Sequence, residues 1–256
     1  MTTAAALIIG DEILTGKVAD TNGPLLIGLL RDLGVRLERL VYLGDSIDQI
    51  AAEVRRCAER YDAVITSGGI GPTHDDCTIA AVAAAFGVGI DRDPDLEAMI
   101  RAWWASRLTD DALRMADVPA GSRLLYGGDG LMPLVVYRNV YLLPGVPRLF
   151  EAKLPAFRLE LTGECLQLGS LYLRSDESSI ASILRQVDGE FEDVKIGSYP
   201  RLETDEFRIW VTVEATNGGI IEQAIARLVA LLPPDEVVRV EQPPAGPPDQ
   251  RTKNED

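Results

Sequence analysis

The sequence predicts an α/β protein, with a first domain on a largely parallel sheet and a second, smaller α+β domain. Two patterns carry this reading. In the first half, short apolar strands alternate with amphipathic helices, the signature of βαβ units. From Gly169 the order becomes strand, helix, strand, strand, helix, strand, which suits a small two-layer domain. With 46% of 256 residues apolar, the chain can bury a medium core and a small one. The expected domains are residues 1–163 and 164–241, with the boundary at Thr162-Gly163, followed by a tail over 242–256.

Taken in order, Ala4 to Ile9 is an apolar strand, and Leu25 to Leu33 carries apolar residues at helical spacing with Gly34 just past its end. Val35 to Leu43 is the next strand and Ile47 to Ala58 the next helix. Asp62 to Thr66 reads as a short buried strand, and Ile79 to Phe86 as a helix stopped by Gly87. Asp93-Pro94 pairs an N-cap with a proline at the first helical position of a segment reaching Arg107. Trp103 and Trp104 fall on that segment; with few basic neighbours they are expected to pack or make subunit contacts rather than stack on bases. Leu134 to Tyr137 and Asn139 to Leu143 form a strand pair ending in Pro144-Gly-Val-Pro147, and Leu149 to Leu161 closes the domain as a helix. In the second domain the strands are Leu171 to Arg174, Val194 to Tyr199, Glu206 to Ala215 and a short one near Val237. Its helices are Ser178 to Val187 and Ile220 to Leu232. From Gln242 the Pro, Gly and charge content predicts disorder.

A net charge of −15 with no basic run argues against a nucleic-acid partner, so an anionic ligand needs backbone amides, single arginines or a cation. Cys57, Cys77 and Cys165 lie far apart without CxxC or histidine pairing, which indicates neither zinc nor a disulfide framework. The first residues lack a basic flank and no apolar run approaches membrane length. A cytoplasmic protein without a membrane partner is expected.

The chemistry concentrates in Thr66-Ser-Gly-Gly-Ile-Gly-Pro-Thr-His-Asp-Asp-Cys-Thr78, which follows a strand, where open α/β sheets bind ligands. Gly68, Gly69 and Gly71 permit positive φ and close approach, so their amides can point at a phosphate beside the next helix N-terminus. The stretch lacks the Lys and Ser/Thr ending of a P-loop, and the first strand lacks GxGxxG. Thr73 and Thr78 are candidate hydroxyl donors. Acidic residues also follow the other strands: Asp11 with Glu12, Asp45 after Gly44, and Asp75 with Asp76. Strand ends of one parallel sheet share an edge, and converging carboxylates call for a divalent cation. The alternative is that Asp45 caps the helix near Ser46, that Asp75 or Asp76 caps the helix after it, and that Asp11 and Glu12 are solvated. His74 is the single histidine, so no Ser-His-Asp or Cys-His system can form without it.

Gly10-Asp-Glu-Ile-Leu-Thr-Gly16, Asp20-Thr-Asn22, Val41-Tyr-Leu-Gly-Asp45, Thr66 to Thr78 and Leu143-Pro-Gly-Val-Pro147 resemble, in order, the molybdopterin-binding-like domain of CinA proteins and the MoaB/MogA group. That resemblance implies a three-layer, mostly parallel sheet. Pro133 to Pro147, Ser175-Asp-Glu-Ser-Ser-Ile180 and Gly197-Ser-Tyr-Pro200 look closest to the molybdopterin-binding-like region of eukaryotic FAD synthases. One departure is chemical: Asp75 stands where the molybdopterin group typically has an arginine, exchanging a phosphate-binding cation for a metal-binding anion. The resemblance does not reach the deamidase domain of CinA proteins or the adenylyltransferase domain of FAD synthases, so neither activity is expected of these residues.

What the resemblance implies is a pyrophosphatase that uses magnesium, manganese or cobalt to cleave FAD or ADP-ribose and release AMP. Asp45, Asp75 and Asp76 would hold the ion with help from Asp11 or Glu12. Amides of Gly68, Gly69 and Gly71 would face one phosphate and those of Gly145 and Val146 the other, with Thr73, Thr78, Asn22 and Thr15 orienting the substrate. The competing expectation is a protein that binds molybdopterin or a nucleotide, or adenylylates molybdopterin, in molybdenum cofactor biosynthesis. A homo-oligomer, dimer or trimer, is compatible with either.

Overall fold

The first strand, β1 (Thr3–Ile9), sends alternate side chains into two cores. Ala4 and Ala6 face one, and Ala5, Leu7 and Ile9 the other, all buried. A strand covered on both faces can be continuously apolar, which is why this one reads as a plain hydrophobic run. The structure, a computed structural model, describes residues 1–127, 132–201 and 206–243; the tail predicted from Gln242 lies outside the described residues from 244 onward. It divides into two compact units, Met1–Glu164 and Cys165–Asp256.

In the first unit, β1 is followed by a single helical turn, α1 (Asp11–Leu14), and by α2 (Asn22–Asp32), β2 (Arg36–Leu43), α3 (Ile47–Ala58), β3 (Ala63–Ser67) and α4 (Thr78–Phe86). A short antiparallel pair, β4 (Ile90–Arg92) with β5 (Asp117–Pro119), brackets α5 (Pro94–Trp104) and α6 (Asp110–Arg114). Then come β6 (Arg123–Leu125), β7 (Leu134–Tyr137), β8 (Val140–Leu143) and α7 (Pro147–Arg158). The main sheet has the order β2-β1-β3-β8-β7-β6. Pairings β2 with β1, β1 with β3 and β3 with β8 are parallel, whereas β7 is antiparallel to both β8 and β6.

Three layers result. Leu26, Leu29 and Leu30 of α2 and Phe150 and Phe157 of α7 cover one face of the sheet. Ile50 and Val54 of α3 and Ala81, Val82 and Ala85 of α4 cover the other. A separate apolar cluster joins Leu96 and Ile100 of α5 to Leu113 of α6, with Leu124 of β6 and Met132 and Val135 packed against it. Asp93 caps α5 as expected, accepting from the amides of Asp95 and Leu96 at 3.0 Å each. The helix stops before Arg107, however. Ala105 takes φ 44°, and residues 105–107 continue as a 3-10 turn.

The second unit contains β9 (Gln167–Leu173), α8 (Glu177–Glu190), β10 (Lys195–Pro200), β11 (Ile209–Ala215), α9 (Gly218–Leu231) and β12 (Val237–Glu241). Its antiparallel sheet runs β10-β11-β9-β12, and Ile180, Val187, Ile221, Ile225 and Leu228 of the two helices pack with Leu171, Val211 and Val213 of the strands. The last long strand is shorter than predicted, starting at Ile209 rather than Glu206. No helix among the described residues is long and apolar enough to cross a membrane.

Candidate active site at the carboxyl edge of the sheet

The parallel strands β2, β1, β3 and β8 end together. Ile9 is in register with Leu43, Ile8 with Ser67, and Ser67 with Leu143. The Gly10 amide donates to Leu43 O and the Gly68 amide to Leu143 O, each at 3.0 Å, so the turns leaving these strands lie side by side. They border a cavity of about 840 Å³, within the size range of small-molecule sites.

Glu12, Asp45, Asp75 and Asp76 all line this cavity, although they arise from three separate turns. Asp11 does not; its carboxylate instead accepts from the Asp45 amide at 3.2 Å, while Asp45 accepts from the Asp11 amide at 2.9 Å. Burial pushes the Asp45 carboxyl above its ordinary value, and the charges of Asp11, Glu12 and Asp75 act the same way, against the hydrogen bond from Asp11. Among the described residues no three acidic, cysteine or histidine side chains converge as a ready-made ion cage. The cap alternative also fails: Ser46 is the N-cap of α3 and Cys77 that of α4, and neither helix start has a side-chain cap.

Asp76 is turned into its own loop. It accepts from the Gly71 amide at 2.7 Å, the Thr73 amide at 2.8 Å and the Thr73 hydroxyl at 2.6 Å. Asp75 points outward, more than half exposed, and is held below the usual aspartate range by the nearby Thr73 hydroxyl and its own amide. His74 is 98% exposed and does not line the cavity, so the lone histidine is not placed for proton transfer.

The geometry corrects several expected phosphate contacts. The Gly68 amide is used by the sheet and the Gly71 and Thr73 amides by Asp76, so none of these points freely at a ligand. Thr78 is fully buried and donates to Gly68 O at 2.8 Å; it ties the turn to α4. Asn22 is buried, with its amide nitrogen donating to Ser67 Oγ at 2.9 Å and Gly145 O at 2.8 Å; it ties the β3 turn to the β8 turn. The Thr15 hydroxyl donates back to Asp11 O at 2.9 Å, closing the C-terminal end of α1. What remains are the amides of Gly69, Ile70, Gly145 and Val146. These four belong to cavity-lining residues and make no hydrogen bond among the described residues. Val146 is also the N-cap of α7, whose dipole favours negative charge there.

Residues 5–161 match the family described as "Probable molybdopterin binding domain". The chain belongs to that family. Residues 166–241 match a further one, "FAD synthase, middle domain". A "Probable FAD synthase" of Caenorhabditis elegans is 34% identical over 258 residues, covering 90% of this chain and 50% of the relative. A "CinA-like protein" of Myxococcus xanthus is 41% identical over 155 residues, covering 58% of this chain and 37% of the relative. The chain thus spans half or less of these relatives' length. The crystal structure of a CinA protein of Thermoplasma acidophilum, 33% identical, superposes with a TM-score of 0.58 over 63% of this chain and 99% of that one.

In this member of the family the cavity has a second wall that motif reading missed. Trp103, Trp104 and Arg107 line it, with Leu96, Met115 and Met132. Trp104 is half-buried against the α5–α6 cluster, as the packing expectation had it, but Trp103 is 58% exposed. Because that cluster packs on β6 and β7, the apolar wall stands toward the β7 side of the sheet edge, and the carboxylates stand at β2, β1 and β3.

Proposed function

We propose that the first domain cleaves the diphosphate of a dinucleotide, FAD or ADP-ribose, releasing AMP with the help of a divalent cation. The observation that carries this is one cavity bordered by Glu12, Asp45 and Asp75 and by the amides of Gly69, Ile70, Gly145 and Val146, which make no hydrogen bond among the described residues. Anion receptors and acidic groups side by side suit a ligand that brings negative charge together with a cation. The FAD synthase and CinA names of the relatives support a nucleotide ligand.

The donor set fits a magnesium-like ion, which takes one or two carboxylates and completes its shell with water and substrate phosphate. Asp45 with Glu12 or Asp75 would hold it, and the chemistry it would supply there is to polarise a phosphate and lower the pKa of a bound water. The chain's own residues do the positioning. Amides at Gly69 and Ile70 and at Gly145 and Val146 meet phosphate oxygens from two adjacent strand ends, and the α7 N-terminus favours the charge that grows there during attack. Asp11 and Asp76 shape the turns that carry these groups.

The test is AMP release by metal-free protein given FAD, ADP-ribose or a reduced nicotinamide dinucleotide, each with magnesium, manganese or cobalt. Metal-dependent AMP is the expected result and names the substrate. No AMP from any combination overturns hydrolysis in favour of ligand binding alone.

A further inference from the structure

We infer that Trp103, Trp104 and Arg107 form a stacking subsite for a heteroaromatic ring of the substrate, beside the turns that face its diphosphate. This rests on the hydrolase reading only for where the phosphates lie. The Trp103 indole is 58% exposed on a cavity wall, an apolar surface that water leaves poorly satisfied and a flat ring covers well. The Arg107 guanidinium lies 5.8 Å from the Trp104 ring centroid and has no acidic partner among the described residues, in a chain of net charge −15. The strained backbone of Ala105, φ 44°, makes the break that carries Arg107 back toward that ring. Met115 and Met132 add polarisable sulfur to the same wall.

The spacing agrees. One strand step separates the β8 turn from β7, and strands lie about 4.8 Å apart, so a diphosphate over the β3 and β8 turns leaves its neighbouring ring beside the β7 wall. A sugar phosphate without a heteroaromatic base would leave the indoles wet. The subsite therefore sets specificity: it favours a dinucleotide whose ring reaches the wall, and that ring is either the flavin or the adenine.

The experiment measures binding, not turnover, on the whole chain with magnesium present. FMN is followed by its own fluorescence, which stacking on indole quenches, and AMP by calorimetry; ribose 5-phosphate serves as the control without a heteroaromatic base. For the ring that occupies the wall, Trp103→Ala is expected to raise Kd about tenfold, the scale of one base–aromatic stack. Ribose 5-phosphate binding is expected to be unchanged. Loss of FMN binding assigns the wall to the flavin and loss of AMP binding to the adenine. Trp104→Leu tests the second indole; because Trp104 also packs in the core, the exposed variants Trp103→Ala and Arg107→Ala decide the matter if it misfolds. The subsite is overturned if these variants melt like wild type and bind both mononucleotides unchanged, or if wild type binds neither at millimolar concentration. Absence of AMP release would overturn the hydrolase and leave this binding result standing. Turnover with an unaltered KM in Trp103→Ala would do the reverse.

Discussion

Asp11 and Asp45 each accept a hydrogen bond from the other's backbone amide, at 2.9 Å onto Asp45 and 3.2 Å onto Asp11. Two turns from different βα units are tied by a pair of like charges, an arrangement that favours a nearby cation. The tie and the charge are separable. Asp45→Asn keeps an acceptor for the Asp11 amide, so its stability in urea should stay within about 0.5 kcal/mol of wild type. AMP release should fall by about two orders of magnitude or more, since a charge facing phosphate is gone. Asp45→Ala should lose turnover and also about 1 kcal/mol of stability. Full turnover in Asp45→Asn would reduce this residue to a tie.

Gly68 has φ 108°, and a Cβ there would lie 2.1 Å from Ile9 O, a backbone atom that cannot yield. Gly68→Ala should cost at least about 2 kcal/mol from strain and displaced backbone. Gly28 supplies the contrast. It sits exposed inside α2 with open space around its missing side chain, so Gly28→Ala should stabilise by about 0.5–1 kcal/mol. Denaturant melts of the two variants should move in opposite directions, and equal shifts would contradict the close-approach account.

The long elements were legible because their periodicities are strong and their ends are marked. Ile47–Ala58 and Leu134–Tyr137 run between the predicted residues, and the Asp93 cap stands where its Asp-Pro signal put it. The turn α1 and strands β4, β5 and β6 were not legible, since three or four residues hold no period; their place comes from tertiary pairing. Within the site, sequence located the turns and all four of the carboxylates that line the cavity. It could not say which amides the fold consumes. Gly68, Gly71 and Thr73 read as phosphate donors only until Leu143 O and Asp76 are seen to occupy them. Sequence alone points Trp103 and Trp104 to packing or subunit contacts; what places them on the cavity is the contact of the α5–α6 cluster with β6 and β7, a long-range fact.

In the second unit, Glu190 is paired with Arg227 at 2.8 Å across α8 and α9 and accepts from Gln186. The Arg227 and Gln186 hydrogen bonds hold its carboxyl down at about 2, below the ordinary 4.5. A depressed folded pKa gives stability that is present above pH 4.5 and lost as pH falls toward 2. The pair is solvent-exposed, so the effect is small and screened by salt. Comparing wild type with Glu190→Gln in urea melts, the difference should be largest near neutral pH and vanish toward pH 2. A difference independent of pH would mean that Glu190 acts through packing.

The resemblance makes Asp76 an ion ligand, yet both of its oxygens already receive loop donors: Gly71 on Oδ1, and the Thr73 amide and hydroxyl on Oδ2. Asp76→Asn therefore does more than remove charge, because one of its termini becomes an NH2 group facing an N–H donor. The fold should survive, since none of these bonds involves the cores. The amides of Gly71 and Thr73 should exchange with solvent about tenfold faster, the equivalent of one lost hydrogen bond. Turnover should be lost as the neighbouring Gly69 and Ile70 amides move. Amide protection that stays at wild-type level while turnover vanishes would instead show Asp76 acting on the bound ligand directly, with the loop held by other means.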